Sequence, residues 1–200
     1  MVIDHFGVVF FPDMFTFRII GRISLVLYAF MLVEGFFHTK NFKKYILKIF
    51  VWAFISEIPF DLAMSGYIFN WQSQNIFFTL FLGLTGIYSL KSIRNVIFKP
   101  LSVLFFLSAS VILRVDYSWY GVLLIFTFYY FKNNEPLKFL TAEALSMLAS
   151  FKILLIQFFA FIGFIPILMY NGEQGKKMGN FYYSFYALHL LTFAVIKNLI

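Results

Sequence analysis

Cysteine is absent from this chain, so neither a disulfide framework nor a thiolate metal site can form. Charge is scarce as well: only 12% of the 200 residues are Asp, Glu, Lys or Arg, against roughly 25% in a soluble domain. Proline occurs five times, and no stretch is rich enough in it to act as a linker. There is no Walker loop, GxGxxG fingerprint, GxSxG elbow or HExxH pair, which leaves the common nucleotide, dinucleotide, hydrolase and metalloprotease sites without a sequence signal. The three histidines come from distant segments, so no metal site is expected.

What is present is apolar. Hydrophobic residues make up 62% of the chain, Phe alone occurs 31 times, and the mean hydropathy is +0.84. Such a composition predicts an all-α, polytopic transmembrane helical bundle at the plasma membrane. The net charge of +7 is then read as a bias of cytoplasmic loops, and no nucleic acid partner is implied.

Breaking the apolar runs at charge and turn clusters gives segments 1–12, 14–38, 43–65, 75–90, 97–113, 117–131, 137–150, 153–170 and 179–198. The seventh can also be an interfacial or re-entrant helix, so eight to nine helices are expected in one integral-membrane domain over 1–200. The first run is shorter than the roughly 17–25 residues of a span. It is expected either to cross half the bilayer or to have lost its beginning. No cleavable signal peptide is evident.

If the first segment runs outward, eleven of the 16 basic residues fall on one side. They are Lys40, Lys43, Lys44 and Lys48; Lys91, Arg94 and Lys99; Lys132 and Lys138; and Lys176 and Lys177. Arg114, Lys152 and Lys197 fall on the other. The side with the eleven is therefore expected to be cytoplasmic. Trp71, Tyr117, Trp119 and Tyr120 then suit the outer aromatic belt.

Charges within apolar runs are costly and mark candidate sites. Arg18 and Arg22 share one face of the second helix; Glu57 and Asp61 share one face of the third, with Pro59 between them. The two pairs are expected at similar depth, either as an ion-pair lock or with one arginine left for an anionic group or oxyanion. His5 is a candidate general base, or simply a helix contact. Its neighbour Asp4 points about 100° away and is expected to pair elsewhere, with an arginine for example. Asn75 belongs to the same outer cluster. Glu34 and His38 lie at the inner end of the second helix, followed by Lys40, Lys43 and Lys44. That turn reads either as plain topology or as a docking surface for a phosphorylated donor. His189, in an otherwise apolar last span, is a candidate to complete an interior site.

The pieces MVIDHFGVVFFP, RIIGRISLVLYAFMLVEGFFHTKNFKKY, FISEIPFDLA, QNIFFTLFLGL, LMYNGEQGKK and FYALHLL together resemble the TraX family, whose prototype acetylates the N-terminal amine of pilin in conjugation. The resemblance covers most of the chain and implies a membrane acetyltransferase with acetyl-CoA as co-substrate. The acceptor it implies is a pilin-like peptide or an envelope glycan. Multi-pass acyltransferases similar to this family use a membrane histidine near the first helix, which here implies His5. On this reading Arg18 or Arg22 and Asn75 serve the oxyanion or acceptor, Glu57 and Asp61 fix the arginines, and Lys40, Lys43, Lys44, Glu34 and His38 serve the donor. Two other classes fit the same charges: a transporter with an intramembrane His/Arg/carboxylate relay, and a non-catalytic assembly factor.

Overall fold

Asparagine and glycine mark where the long apolar runs become helices and stop. In the computed structural model, Asn41 caps one helix by accepting from Lys44 N–H at 2.9 Å, and Asn75 caps the next by accepting from Phe77 N–H at 2.9 Å. Gly66 ends the helix between them in the left-handed region, φ +79°, where a Cβ would be strained. The structure describes the backbone of residues 1–153, 155–173 and 179–199, and the side chains of these except 150–158. Lys176 and Lys177, counted above for orientation, lie outside the described residues.

Among the described residues there are nine α-helices and no named strand. They are α1 (Val2–Phe10), α2 (Phe15–His38), α3 (Phe42–Ser65), α4 (Ile76–Ser92), α5 (Phe98–Ile112), α6 (Ser118–Tyr130), α7 (Glu135–Ile153), α8 (Phe164–Leu168) and α9 (Phe181–Leu199). The all-α bundle and most of its boundaries agree with the apolar runs. The exception is 153–170, expected as a single helix. There a 3₁₀ segment, Leu155–Gly163, precedes the short α8. Gly163 lies so close to α2 that an added Cβ would come within 3.0 Å of Val26 and 3.1 Å of the Ile23 carbonyl.

The chain is a membrane protein, and among the described residues α2 is the helix whose length and composition alone suffice to cross a bilayer. Helices α4, α5 and α6 are shorter than the roughly 20 residues of a straight span. Leu47, Phe50, Phe54 and Ile58 form an exposed apolar stripe on α3, and Leu101, Leu104 and Phe105 another on α5. Stripes of that kind are poorly tolerated in water and suit contact with lipid.

Helix α1 packs between α2 and α9, α3 packs on α4 and α9, and α6 fills the centre against α2, α4, α5 and α7. Although consecutive in sequence, α2 and α3 do not pack along each other. The core between them is built from Leu25, Ala29, Phe36, Ile76, Leu84, Ile87, Leu124 and Ile125, all nearly or fully buried.

Candidate functional site

Asp4 and His5 are adjacent on α1, so their side chains leave the helix about 100° apart and meet different neighbours. Asp4 turns to α2. Its Oδ1 lies 3.2 Å from Arg18 Nη1 and 3.6 Å from Arg22 Nη2, the pairing that its helical phase requires. Gly21 makes the approach possible: a Cβ there would stand 2.3 Å from the Asp4 carboxyl. The carboxylate therefore occupies the space where a side chain would otherwise sit.

Arg22 is 8% exposed and also donates from Nε to the Arg18 carbonyl at 3.2 Å. Its guanidinium carbon stands 4.9 Å from the centre of the Tyr117 ring, a cation–π contact. Arg18, with 35% of its side chain exposed, is the more accessible of the two. Tyr117 belongs to the α5–α6 connection, where Arg114 and Tyr117, together with Ser118 at the start of α6, have positive φ without being glycine. Such strain persists only where surroundings over-determine it. Here Gln74 does so, donating from N–H to the Arg114 carbonyl at 3.1 Å and accepting from Asp116 N–H at 2.9 Å. The Thr79 hydroxyl also donates to the Asp116 carbonyl. Burial pushes the Asp116 carboxyl up to about 6, a rise that nearby Arg22 only partly opposes.

His5 turns to α9. Its Nδ1 lies 2.7 Å from His189 Nε2, the ring planes are 6° apart, and the centroids are 5.1 Å apart. Both residues are buried, and the Tyr186 ring meets each edge-on, at 5.7 Å from His5 and 5.4 Å from His189. His189 Nδ1 lies 2.9 Å from the Phe185 carbonyl, which only accepts, so that nitrogen carries the proton. In a neutral imidazole the other nitrogen, Nε2, must then accept, and His5 Nδ1 donates to it. The proton inventory leaves the lone pair of the pair at His5 Nε2, for which the described residues supply no hydrogen bond. This arrangement can take up a proton at Nε2 and share the resulting charge with His189.

The expected lock between the α2 arginines and the α3 carboxylates does not form. Glu57 Oε2 instead accepts from Asn75 N–H at 3.1 Å and Asn75 Nδ2 at 2.5 Å, while Asp61 Oδ2 accepts from Asn70 N–H at 2.8 Å. The reason is packing: α1, not α3, lies along the arginine face of α2. The Asn75 side chain is engaged as well. Its Nδ2 hydrogens serve Glu57 and the Ala53 carbonyl (2.8 Å), and its Oδ1 caps α4. Glu57, Asp61 and Asn75 thus tie the 66–75 connection to α3.

Glu34 and His38 sit roughly 20 Å along α2 from Arg22, apart from the histidine pair. His38 donates to the Glu34 carbonyl at 2.8 Å, and Lys132 Nζ pairs with Glu34 Oε1 at 3.1 Å. Lys40, Lys43 and Lys44 are exposed on the turn into α3 and line neither described cavity. One cavity, of about 530 Å³, is lined instead by Phe37, Leu90, Lys99, Tyr129, Tyr130, Lys132, Asn133 and Asn134. Sequence reasoning missed that cavity, and it missed Asp116 and Tyr117 beside Arg22, reading the latter as belt aromatics. The only signal was the pair of polar turns Lys132–Asn134 and Asp116–Tyr117 at helix ends.

The sequence profile of a family described as TraX protein matches residues 1–197. A curated relative, the probable fimbrial assembly protein FimC, serogroup H1, of Dichelobacter nodosus, is 31% identical over an alignment covering 98% of this chain and 91% of that protein. No solved structure matches the chain.

Proposed function

The chain belongs to the TraX family, and from that premise we propose that it is a multi-pass membrane acetyltransferase. It takes acetyl groups from cytoplasmic acetyl-CoA to an amine or hydroxyl at the membrane. The buried His5–His189 pair, with its lone pair at His5 Nε2, carries this reading. The name of the fimbrial relative favours a pilin-like peptide amine as acceptor over an envelope glycan. The lysine-rich helix ends face the cytoplasm, by the positive-inside rule.

In the proposed reaction the neutral acceptor nitrogen adds to the thioester carbonyl, and the C–N bond forms as the carbonyl π pair moves onto oxygen. His5 Nε2 takes the proton that the nitrogen sheds, while Nδ1–H stays on His189. The tetrahedral intermediate collapses, the C–S bond breaks, and the thiolate of coenzyme A receives the proton from His5. Arg18, half accessible and held by Asp4, is the cation that steadies the oxyanion. Arg22 is packed beneath Tyr117 and holds the frame.

A second reading, a non-catalytic fimbrial assembly factor, is favoured by the way Asp4, Arg18 and Glu57 are all engaged in structural contacts. Acetyl mass increments on envelope proteins, compared between cells with and without the protein, separate the two. An assembly factor leaves those masses unchanged.

A further inference from the structure

We propose that the inner ends of α5 and α6 hold one anionic phospholipid, with its phosphate against Lys99 and Lys132 and one acyl chain lying along α6. The proposal rests on the multi-pass reading above, which puts this end of the bundle at the cytoplasmic leaflet, but not on acetyl transfer.

Two adjoining cavities carry it. The first, of about 530 Å³, offers the ammonium groups of Lys99 and Lys132 and the side-chain amides of Asn133 and Asn134. Among the described residues no carboxylate lines it. Lys132 shares its charge with Glu34 and lies 3.9 Å from the centre of the Phe37 ring, so its position is fixed by neighbours. Lys99 makes no ion pair among the described residues. Such a lining suits a phosphate oxygen, and the ammonium groups repel a choline or ethanolamine cation.

The second cavity, of about 340 Å³, is lined by Val103, Leu123, Phe126, Thr127, Tyr130 and Phe131 and is almost wholly apolar. Tyr130 lines both. From Tyr130 back to Leu123 the groove follows α6 for roughly 10 Å, away from the lysines and towards the bundle's mid-depth. A charged head at the helix ends and an apolar slot running inward from it match an amphiphile standing in a bilayer. A soluble phosphate compound would use the head cavity and leave the slot empty.

Native mass spectrometry of the full chain, released from nanodiscs of mixed phosphatidylglycerol and phosphatidylcholine, tests the site. The wild type is expected to retain one phosphatidylglycerol after other lipids are stripped. Replacing both lysines, Lys99→Ala with Lys132→Ala, is expected to weaken retention about tenfold. Leu123→Trp, which fills the slot without changing charge, is expected to do the same. Lys43→Ala with Lys44→Ala, an equal loss of charge elsewhere on the same face, is expected to leave it intact. Thermal unfolding shows whether each variant is folded, and Lys99→Gln alone serves if the double variant is not. Equal loss in the Lys43/Lys44 control would mean diffuse surface attraction and overturn the proposal. So would full retention by Leu123→Trp, or displacement of the lipid by glycerol phosphate at the same concentration, which would mark a soluble-phosphate site.

Discussion

His5 Nδ1 donates to His189 Nε2 across 2.7 Å, and the bond joins the first and last helices of the chain. Its direction is fixed from outside, because His189 spends its own proton on the Phe185 carbonyl. His189 is therefore a positioning residue for the His5 tautomer. His189→Leu removes the acceptor and is expected to lower kcat by about 10²-fold or more, as loss of the orienting carboxylate does in hydrolase triads. His189→Gln, whose amide oxygen can accept, is expected to recover part of that loss with little change in KM. Equal kcat in the two variants would mean that His189 only packs.

At Gly21 the α2 backbone comes close to the Asp4 side chain of α1. Gly21→Ala places a Cβ within 2.3 Å of the Asp4 carboxyl, so α1 must shift. The expected cost is about 1–3 kcal/mol, as for other overpacked contacts. Urea or thermal unfolding in detergent checks it, with Gly66→Ala as a contrasting case: its φ of +79° makes it costly although nothing lies near the new methyl group.

The ion pairs can be separated by double-mutant cycles. Asp4 and Arg18 are expected to couple by about 0.5–3 kcal/mol, whereas Glu57 and Arg18 should be additive within about 0.5 kcal/mol. A large Glu57–Arg18 coupling would restore the α2–α3 lock that the packing excludes.

Asp116 gives a pH signature. Its folded pKa, about 6, lies above the ordinary value of 3.8, so the folded state binds the proton more tightly than the unfolded one. Its contribution is full below about pH 4 and is lost as pH rises towards 6. Asp116→Asn should remove that slope: relative to wild type, its Tm should gain steadily between pH 4 and 6 and level off above. A flat difference across that window would show that Asp116 is not desolvated.

Much of this architecture was legible in the chain. The length and apolarity of 14–38, 43–65 and 75–90 predict α2, α3 and α4 to within two residues, because long apolar runs bounded by Asn and Gly admit few alternatives. Helical phase separated Asp4 from His5, and distance along α2 separated Glu34 from Arg22. Partner choice was not legible. Four-residue spacing says that Arg18 and Arg22 share a face, and likewise Glu57 and Asp61, but not which helix each face meets. The loss of a Cβ at Gly21 decided it in favour of Asp4. The 3₁₀ segment Leu155–Gly163 was hidden for a similar reason, since its course is set by contact with α2 rather than by local propensity.

The central claim is best tested by one assay: transfer of isotope-labelled acetyl from acetyl-CoA to a pilin-like peptide by the purified protein in proteoliposomes, with His5→Ala alongside. The account predicts a labelled acceptor with the wild type and about 10²–10⁴-fold slower labelling with His5→Ala, in protein that remains folded. Undiminished labelling by a folded His5→Ala variant, or no labelling of any envelope acceptor by the wild type, would contradict it.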